Sequence, residues 1–323
     1  MERTLNVLLV LLGVGLVGCT SQVRGPEAYQ GWSDSYTLMG ENLEAVIVPS
    51  IGRLMDLRRP GETVGVLWQN PALLGQKVQP SQKAWTNFGG DKTWPAPESV
   101  WMKNDAGQWM PPTVFDQASL QVQSTRETLT LTSEVDPRSG VRFTRTFQIT
   151  DANTLQVTTT YHKVQGPSID IAVWIITQLR DPEIVGTFAN PETPAYQELF
   201  GPTPRVTIEP PFLFWDRQQA IPAKIGTRGR SLVWVGKTHT LQINLQVDRS
   251  SSVYPDRGSS AEFYTSPDGL PYIELETVGP IVTLRPGESV QTTNEYHLGD
   301  RRTDESAKAA AKRLLKSAAY NQR

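Results

Sequence analysis

The chain has one cysteine and three histidines in 323 residues. A single thiol cannot close an internal disulfide, and no histidine stands beside another ligand type at the spacing of a zinc site, so neither a disulfide framework nor a metal site is expected. A Gly-x-Ser-x-Gly turn and a phosphate-cradling glycine loop are also missing, which removes the usual signatures of serine hydrolases and nucleotide enzymes. Charge is nearly balanced, with 31 basic and 33 acidic side chains and a formal net charge of −2. Nothing in that balance recommends a nucleic-acid partner. No cofactor is implied.

There is only one long apolar run, Val7 to Val17, and it is too short to span a bilayer as a helix. It follows Arg3 and leads into Leu16-Val17-Gly18-Cys19, a pattern that resembles the processing box of bacterial lipoproteins. Residues 1–18 therefore read as a signal peptide and Cys19 as the lipidation site. Polar residues over 19–34 suit a flexible tether. The expected location is the cell envelope, lipid-anchored to a membrane, and to the outer membrane where the cell has one, because Thr20 and Ser21 supply no acidic retention signal.

Over 35–300 the dominant rhythm is period two, interrupted by turn residues. Val141 to Ile149 and Leu241 to Val247 show it best. Similar runs span Glu44 to Val48, Thr63 to Trp68, Ala118 to Gln123, Leu129 to Val135, Leu155 to Val164, Ile169 to Leu179, Leu232 to Val235 and Tyr272 to Val278. Short turns such as Asp136-Pro137-Arg138-Ser139-Gly140 join them, and no alternation of strand and helix is seen, so a single all-β domain is expected. Gln69 to Pro112 and Asp181 to Arg230 read as two long irregular stretches. Over 303–319 the period changes: Ala307, Ala310, Ala311, Leu314, Leu315 and Ala318 make a helical stripe, expected to dock on the sandwich, with lipid contact through its lysines as the alternative.

Two segments carry candidate chemistry. The first, Asn87 to Glu98 and on to Trp101, crowds Asp91, Lys92 and Trp94 around Gly89-Gly90. Aromatic faces cover the C–H patches of sugars, while amides, carboxylates and ammonium groups satisfy hydroxyls. A structural Trp-Pro loop accounts for the same residues. The second is Tyr272 to Pro280, where Glu274 and Glu276 share a strand face with Tyr272, about 7 Å apart. Close like charges raise each other's pKa and can poise a base. An exposed charged face is the plainer alternative.

Leu275-Glu276-Thr277 followed by Leu284-Arg285-Pro286-Gly287-Glu288 resembles the galactose mutarotase (aldose 1-epimerase) superfamily. The resemblance covers about Leu43 to Leu298 and implies an all-β, galactose mutarotase-like β-supersandwich with a sugar-sized groove and a short C-terminal helix. It puts Glu276 in the place of the catalytic base that takes the anomeric proton. Phe88 falls where the family has a histidine before Gly89-Gly90, and the histidine acid has no counterpart near the Ala172 to Gln178 strand. Taken with the Tyr254-Pro255-Asp256 turn, the pattern looks most like a bacterial lipoprotein branch of the superfamily. The carbohydrate-binding candidates are Asn87, Asp91, Lys92, Trp94, Gln178, Tyr254, Asp256 and Glu274.

Three functions follow from this reading: a non-catalytic carbohydrate-binding lipoprotein; an epimerase with Glu276 as base and Asp91, Lys92 or Asp256 as acid; and a structural envelope protein. A glycosidase built on Glu274 and Glu276 fits poorly, because neighbours on one strand face do not flank a scissile bond. The anchoring expectation has a direct check. A fatty-acid analogue should label the wild-type protein and leave Cys19→Ala unlabelled; equal labelling of the two removes the anchor.

Overall fold

The computed structural model describes residues 21–78, 85–101, 109–202, 204–217, 221–248, 253–266 and 269–321. Strands numbered along the chain form two antiparallel sheets. The first runs β1 (Gln22–Tyr29), β2 (Trp32–Met39), β3 (Glu44–Val48), β4 (Arg53–Arg58), β5 (Asp91–Ala96), β10 (Ile169–Arg180), β19 (Tyr272–Val278), β18 (Ala261–Thr265), β15 (Ala223–Thr227) and β12 (Gln197–Phe200), with β20 (Val282–Leu284) pairing the start of β10. The second runs β13 (Val206–Glu209), β14 (Phe212–Trp215), β11 (Ile184–Phe188), β16 (Ser231–Val235), β17 (His239–Val247), β21 (Ser289–Asp300), β9 (Thr154–Lys163), β8 (Val141–Asp151), β7 (Thr128–Thr132) and β6 (Gln121–Ser124).

The long strands of the second sheet obey the alternation read from the sequence. Along β8, Val141, Phe143, Phe147 and Ile149 are buried against the first sheet while Arg142, Thr144 and Thr146 are partly exposed. At its centre the first sheet is buried on both faces, and β10 and β19 are buried almost throughout. Facing the second sheet are Val173, Ile175 and Leu179 of β10 and Ile273 and Leu275 of β19. Each such side chain removed from water contributes about 1.5–3 kcal/mol before the entropy of ordering is charged against it.

One inward position breaks the apolar pattern. Arg145 of β8 is fully buried and pairs across the sandwich with the buried carboxylate of Asp91 on β5. Asp91 also accepts from Thr177 Oγ1 at 2.8 Å and from the Tyr296 hydroxyl at 2.7 Å. Strands β5, β8, β10 and β21 thus meet at one satisfied polar knot.

The structure corrects three expectations. Residues 22–34, expected as tether, lie mostly in a β1–β2 hairpin, fastened by buried Trp32, whose indole donates to the Gln76 carbonyl at 2.7 Å. An edge strand can be polar, since one rim and one face stay in water. Both stretches expected to be irregular hold strands: Gln69 to Pro112 holds β5, and Asp181 to Arg230 holds β11 to β15, whose short length hides their period. Thr63 to Trp68 is not a strand and makes only the single bridge of Leu67 to Leu179. Residues 1–18 and Cys19 lie outside the described residues.

The C-terminal helix, Ala307–Asn321, packs Ala310, Ala311 and Leu315 on Ile184, Phe212, Phe214, Val233 and Val235. Lys308 and Lys312 both pair with Glu209, and Arg313 pairs with Glu305. The Ala/Leu stripe is therefore a docking face for the sandwich, and these basic groups have protein partners.

Removing one member of the buried pair leaves an uncompensated charge. Arg145→Leu should lower unfolding stability by about 3–5 kcal/mol, read as a drop in the denaturant midpoint at constant slope. Adding Asp91→Asn should recover part of that loss.

Candidate functional site

Because β5 alternates, Asp91 and Thr93 point into the sandwich, and Lys92 and Trp94 point out through the opposite face of the first sheet. The turn into β5 depends on glycine. Gly89 and Gly90 have φ of +89° and +73°, and a Cβ would stand 2.3 Å from the Trp68 carbonyl oxygen at one and 2.5 Å from the Leu54 carbonyl oxygen at the other. That close approach seats β5 between β4 and β10.

Register then assembles the outer face. Lys92 and Glu276 both lie opposite Ile176, so they share a row, roughly 10 Å apart at the backbone. Glu262 of β18 lies directly opposite Glu276. One step along, Gln178 lies opposite Glu274, which lies opposite Tyr264 and then Lys224 of β15. Glu276, Glu262 and Glu274 are only 1%, 0% and 7% exposed, so this is an enclosed acidic cluster and not a solvated charged face.

The carboxylates are held by specific partners. Glu276 Oε2 accepts from Trp174 Nε1 at 2.7 Å and lies 2.9 Å from Lys224 Nζ, which also lies 2.7 Å from Glu262 Oε2. Glu274 accepts from Gln178 Nε2 at 2.7 Å. Burial, with Glu276 nearby, raises the Glu274 carboxyl from 4.5 to about 7. Burial likewise pushes Glu262 well above the usual carboxylate range, against the pull of Lys224. Although burial opposes it, Lys224 stays protonated well above its ordinary range because Glu262 and Glu276 face it.

Lys92 differs from Lys224. Its Nζ has no hydrogen-bond partner among the described residues and sits 4.8 Å from the Trp85 ring and 4.4 Å from the Trp94 ring. Burial, with Arg53 adding to it, lowers its pKa from 10.5 to about 8. Trp94 meets Trp85, Trp101, Trp109 and Trp174 edge-on at 5.5–6.0 Å and donates from Nε1 to Asp116 at 2.9 Å. Asp116 is also paired with buried Arg53 at 2.8 Å. Gln178 Oε1 and Glu262 Oε1 are enclosed and without a hydrogen-bond partner among the described residues.

Of the residues expected at a sugar site, Lys92, Trp94, Gln178, Glu274 and Glu276 come together on this face. Asp256 stands at its edge, in a turn with φ of +49°, close enough to act on Lys224 and Glu262. Asp91 does not belong to the site: one residue from Lys92, it is committed to Arg145 on the other side of the sheet. Asn87 serves its own loop, its Oδ1 accepting from Gly89 N at 3.3 Å and its carbonyl from Asn70 Nδ2 at 3.0 Å. Tyr254 precedes the Pro255 turn, partly buried, and makes no hydrogen bond to the carboxylates among the described residues. Phe88 is packed with Trp32, Val48, Ile51 and Met55, under the Arg53 guanidinium. The three histidines, His162, His239 and His297, all lie on the second sheet.

Sequence reasoning missed Lys224 and Glu262. Each is a lone charge between apolar neighbours, in Ala223-Lys224-Ile225 and Ala261-Glu262-Phe263, which is the signal that finds them.

Among solved structures, a galactose mutarotase-like protein from Lactobacillus casei superposes with a TM-score of 0.54 at 12% identity, over 82% of this chain and 100% of that one. A galactose mutarotase-like protein from Clostridium acetobutylicum gives 0.53 at 11%, over 87% and 99%. This chain has the galactose mutarotase-like fold. A TPR-domain containing protein from Parabacteroides distasonis matches at 0.55 and 15% identity, with 84% of this chain laid on 48% of the other. No protein-family model matches the sequence, and no curated protein matches it significantly, so the galactose mutarotase-like fold is carried by structure alone.

The two shifted groups set opposite pH dependences. Glu274 binds its proton more tightly in the folded chain, so its contribution is complete below about 4.5 and is lost as pH rises to about 7. Lys92 binds its proton less tightly, so its contribution is complete above 10.5 and is lost as pH falls through about 8. With rising pH, unfolding free energy should therefore fall on the acid limb and climb on the alkaline one; Glu274→Gln should flatten the first and Lys92→Met the second.

Proposed function

We propose that the outer face of the first sheet binds carbohydrate, in a lipoprotein exported and anchored through Cys19. The observation that carries this is the set of enclosed polar atoms left open on one tryptophan-lined face: Lys92 Nζ, Gln178 Oε1 and Glu262 Oε1. Leaving such groups unpaired costs about 1–3 kcal/mol each. A ligand whose hydroxyls both donate and accept recovers that cost, and indole surfaces suit its C–H patches.

Catalysis of anomer exchange is the second reading, favoured by the contrast between Lys92 and Glu276. Trp174 and Lys224 fix the orientation of the Glu276 carboxylate, the group suited to take the anomeric proton. Lys92, easily deprotonated and bound to no carboxylate among the described residues, takes the role of the missing histidine by giving a proton to the ring oxygen. Ring opening and reclosure need no further reactant.

Titration calorimetry of the full chain against a saccharide panel tests binding. Lys92→Met should weaken any saccharide bound by about tenfold, and a panel without binders ends the sugar reading. Polarimetry or NMR tests exchange: Glu276→Gln should cut the protein-dependent rate by about 10²–10⁴-fold while keeping affinity. Wild-type rates equal to the spontaneous ones confine the site to binding.

A further inference from the structure

The face that carries Glu274 continues past the carboxylate cluster. Leu67 bridges to Leu179, and Trp68 N donates to the Gln178 carbonyl at 2.9 Å, so Trp68 extends the Gln178–Glu274 row by one position. Its ring stacks on Tyr272 at 4.5 Å, and Tyr272 is two residues from Glu274 on the same strand face. Two residues along a strand cover about 7 Å, the span of one sugar ring. Beyond Trp68 opens a cleft of about 200 Å³, lined by Gln30, Thr63, Gln69, Leu74 and Arg180 among others. Glu274 is the most exposed of the three buried glutamates and the one nearest this opening.

The chemistry of the cleft differs from that of the enclosed cluster. Among the described residues its single charged lining residue is Arg180, which is exposed and whose guanidinium makes one long contact there, 3.5 Å, with the Gly65 carbonyl. The carboxylates adjoining it are engaged elsewhere: Asp181 with Arg217 at 2.7 Å and Glu62 with His239 at 3.1 Å. A guanidinium without a carboxylate partner among the described residues is a planar fork matched to a carboxylate. Glutamine and threonine beside it offer hydroxyl partners, and Trp68 offers an aromatic wall.

Resting on the sugar reading above, we infer that the ligand is an acidic oligosaccharide of at least two units, one at the Lys92–Glu274 cluster and the next in the Trp68 cleft, its carboxylate on Arg180.

The test is calorimetry of the full chain with neutral mono-, di- and trisaccharides and their uronate counterparts in the gluco, galacto and manno series. A diuronate should bind about tenfold more tightly than the matching neutral disaccharide, and the disaccharide more tightly than the monosaccharide. Arg180→Gln should erase the preference for acid and keep that for length. Thr63→Trp, which fills the cleft from its exposed rim, should erase both and spare monosaccharide binding. Affinities indifferent to length and charge, or unchanged in both variants, overturn this inference alone when Lys92→Met still weakens binding. No binding to any member overturns the sugar reading and takes this inference with it.

Discussion

Asp91 and Arg145 meet in the middle of the sandwich, out of reach of water, and the orientation of the central strand depends on that meeting. A carboxylate there has no acceptable alternative: turned outward it would strand Arg145, and unpaired it would carry the full cost of a buried charge. With Asp91 fixed inward, the pleat gives Lys92 and Trp94 no choice but the other face. Thr177 and Tyr296 donate to the same carboxylate, so β10 and β21 are set against β5 by the same contact.

The outer face uses the security of that knot to hold an arrangement that is poor for stability. Glu262 and Glu276 stand directly opposite each other, a destabilising pair in any sheet, and Lys224 between them offsets the repulsion. Lys92 has aromatic rings where a carboxylate would stabilise it better. Buried polar groups left incompletely paired are a feature of places where a ligand completes the pairing. Two parts of this face also differ in kind. The cluster around Glu276 is enclosed and acidic, whereas the Trp68 cleft is open and presents a cation.

Likeness to galactose mutarotase-like structures at 11–12% identity transfers an architecture. The local chemistry is this chain's own. Its histidines are on the wrong sheet for the outer face, and the Phe88 position is apolar packing beneath Arg53. On the outer face the buried cation without a carboxylate partner among the described residues is Lys92, with its basicity lowered by burial.

Periodicity in the sequence by itself determined an all-β body, a helical C-terminal stripe, and the sharing of one face by Glu274 and Glu276, because the repeat of a strand or a helix is a local property. It did not show β5 within a stretch rich in glycine, proline and tryptophan, and Asp91 was misplaced for that reason: that this segment is a strand, and which of its sides is inward, is decided by what waits across the core, here Arg145, 54 residues away. Nor could it bring Lys224 and Glu262 to Glu276, or Trp68 to Glu274. Those neighbours come from strand order and register, which are set by hydrogen-bond pairing between distant segments and by the burial of two sheets against each other.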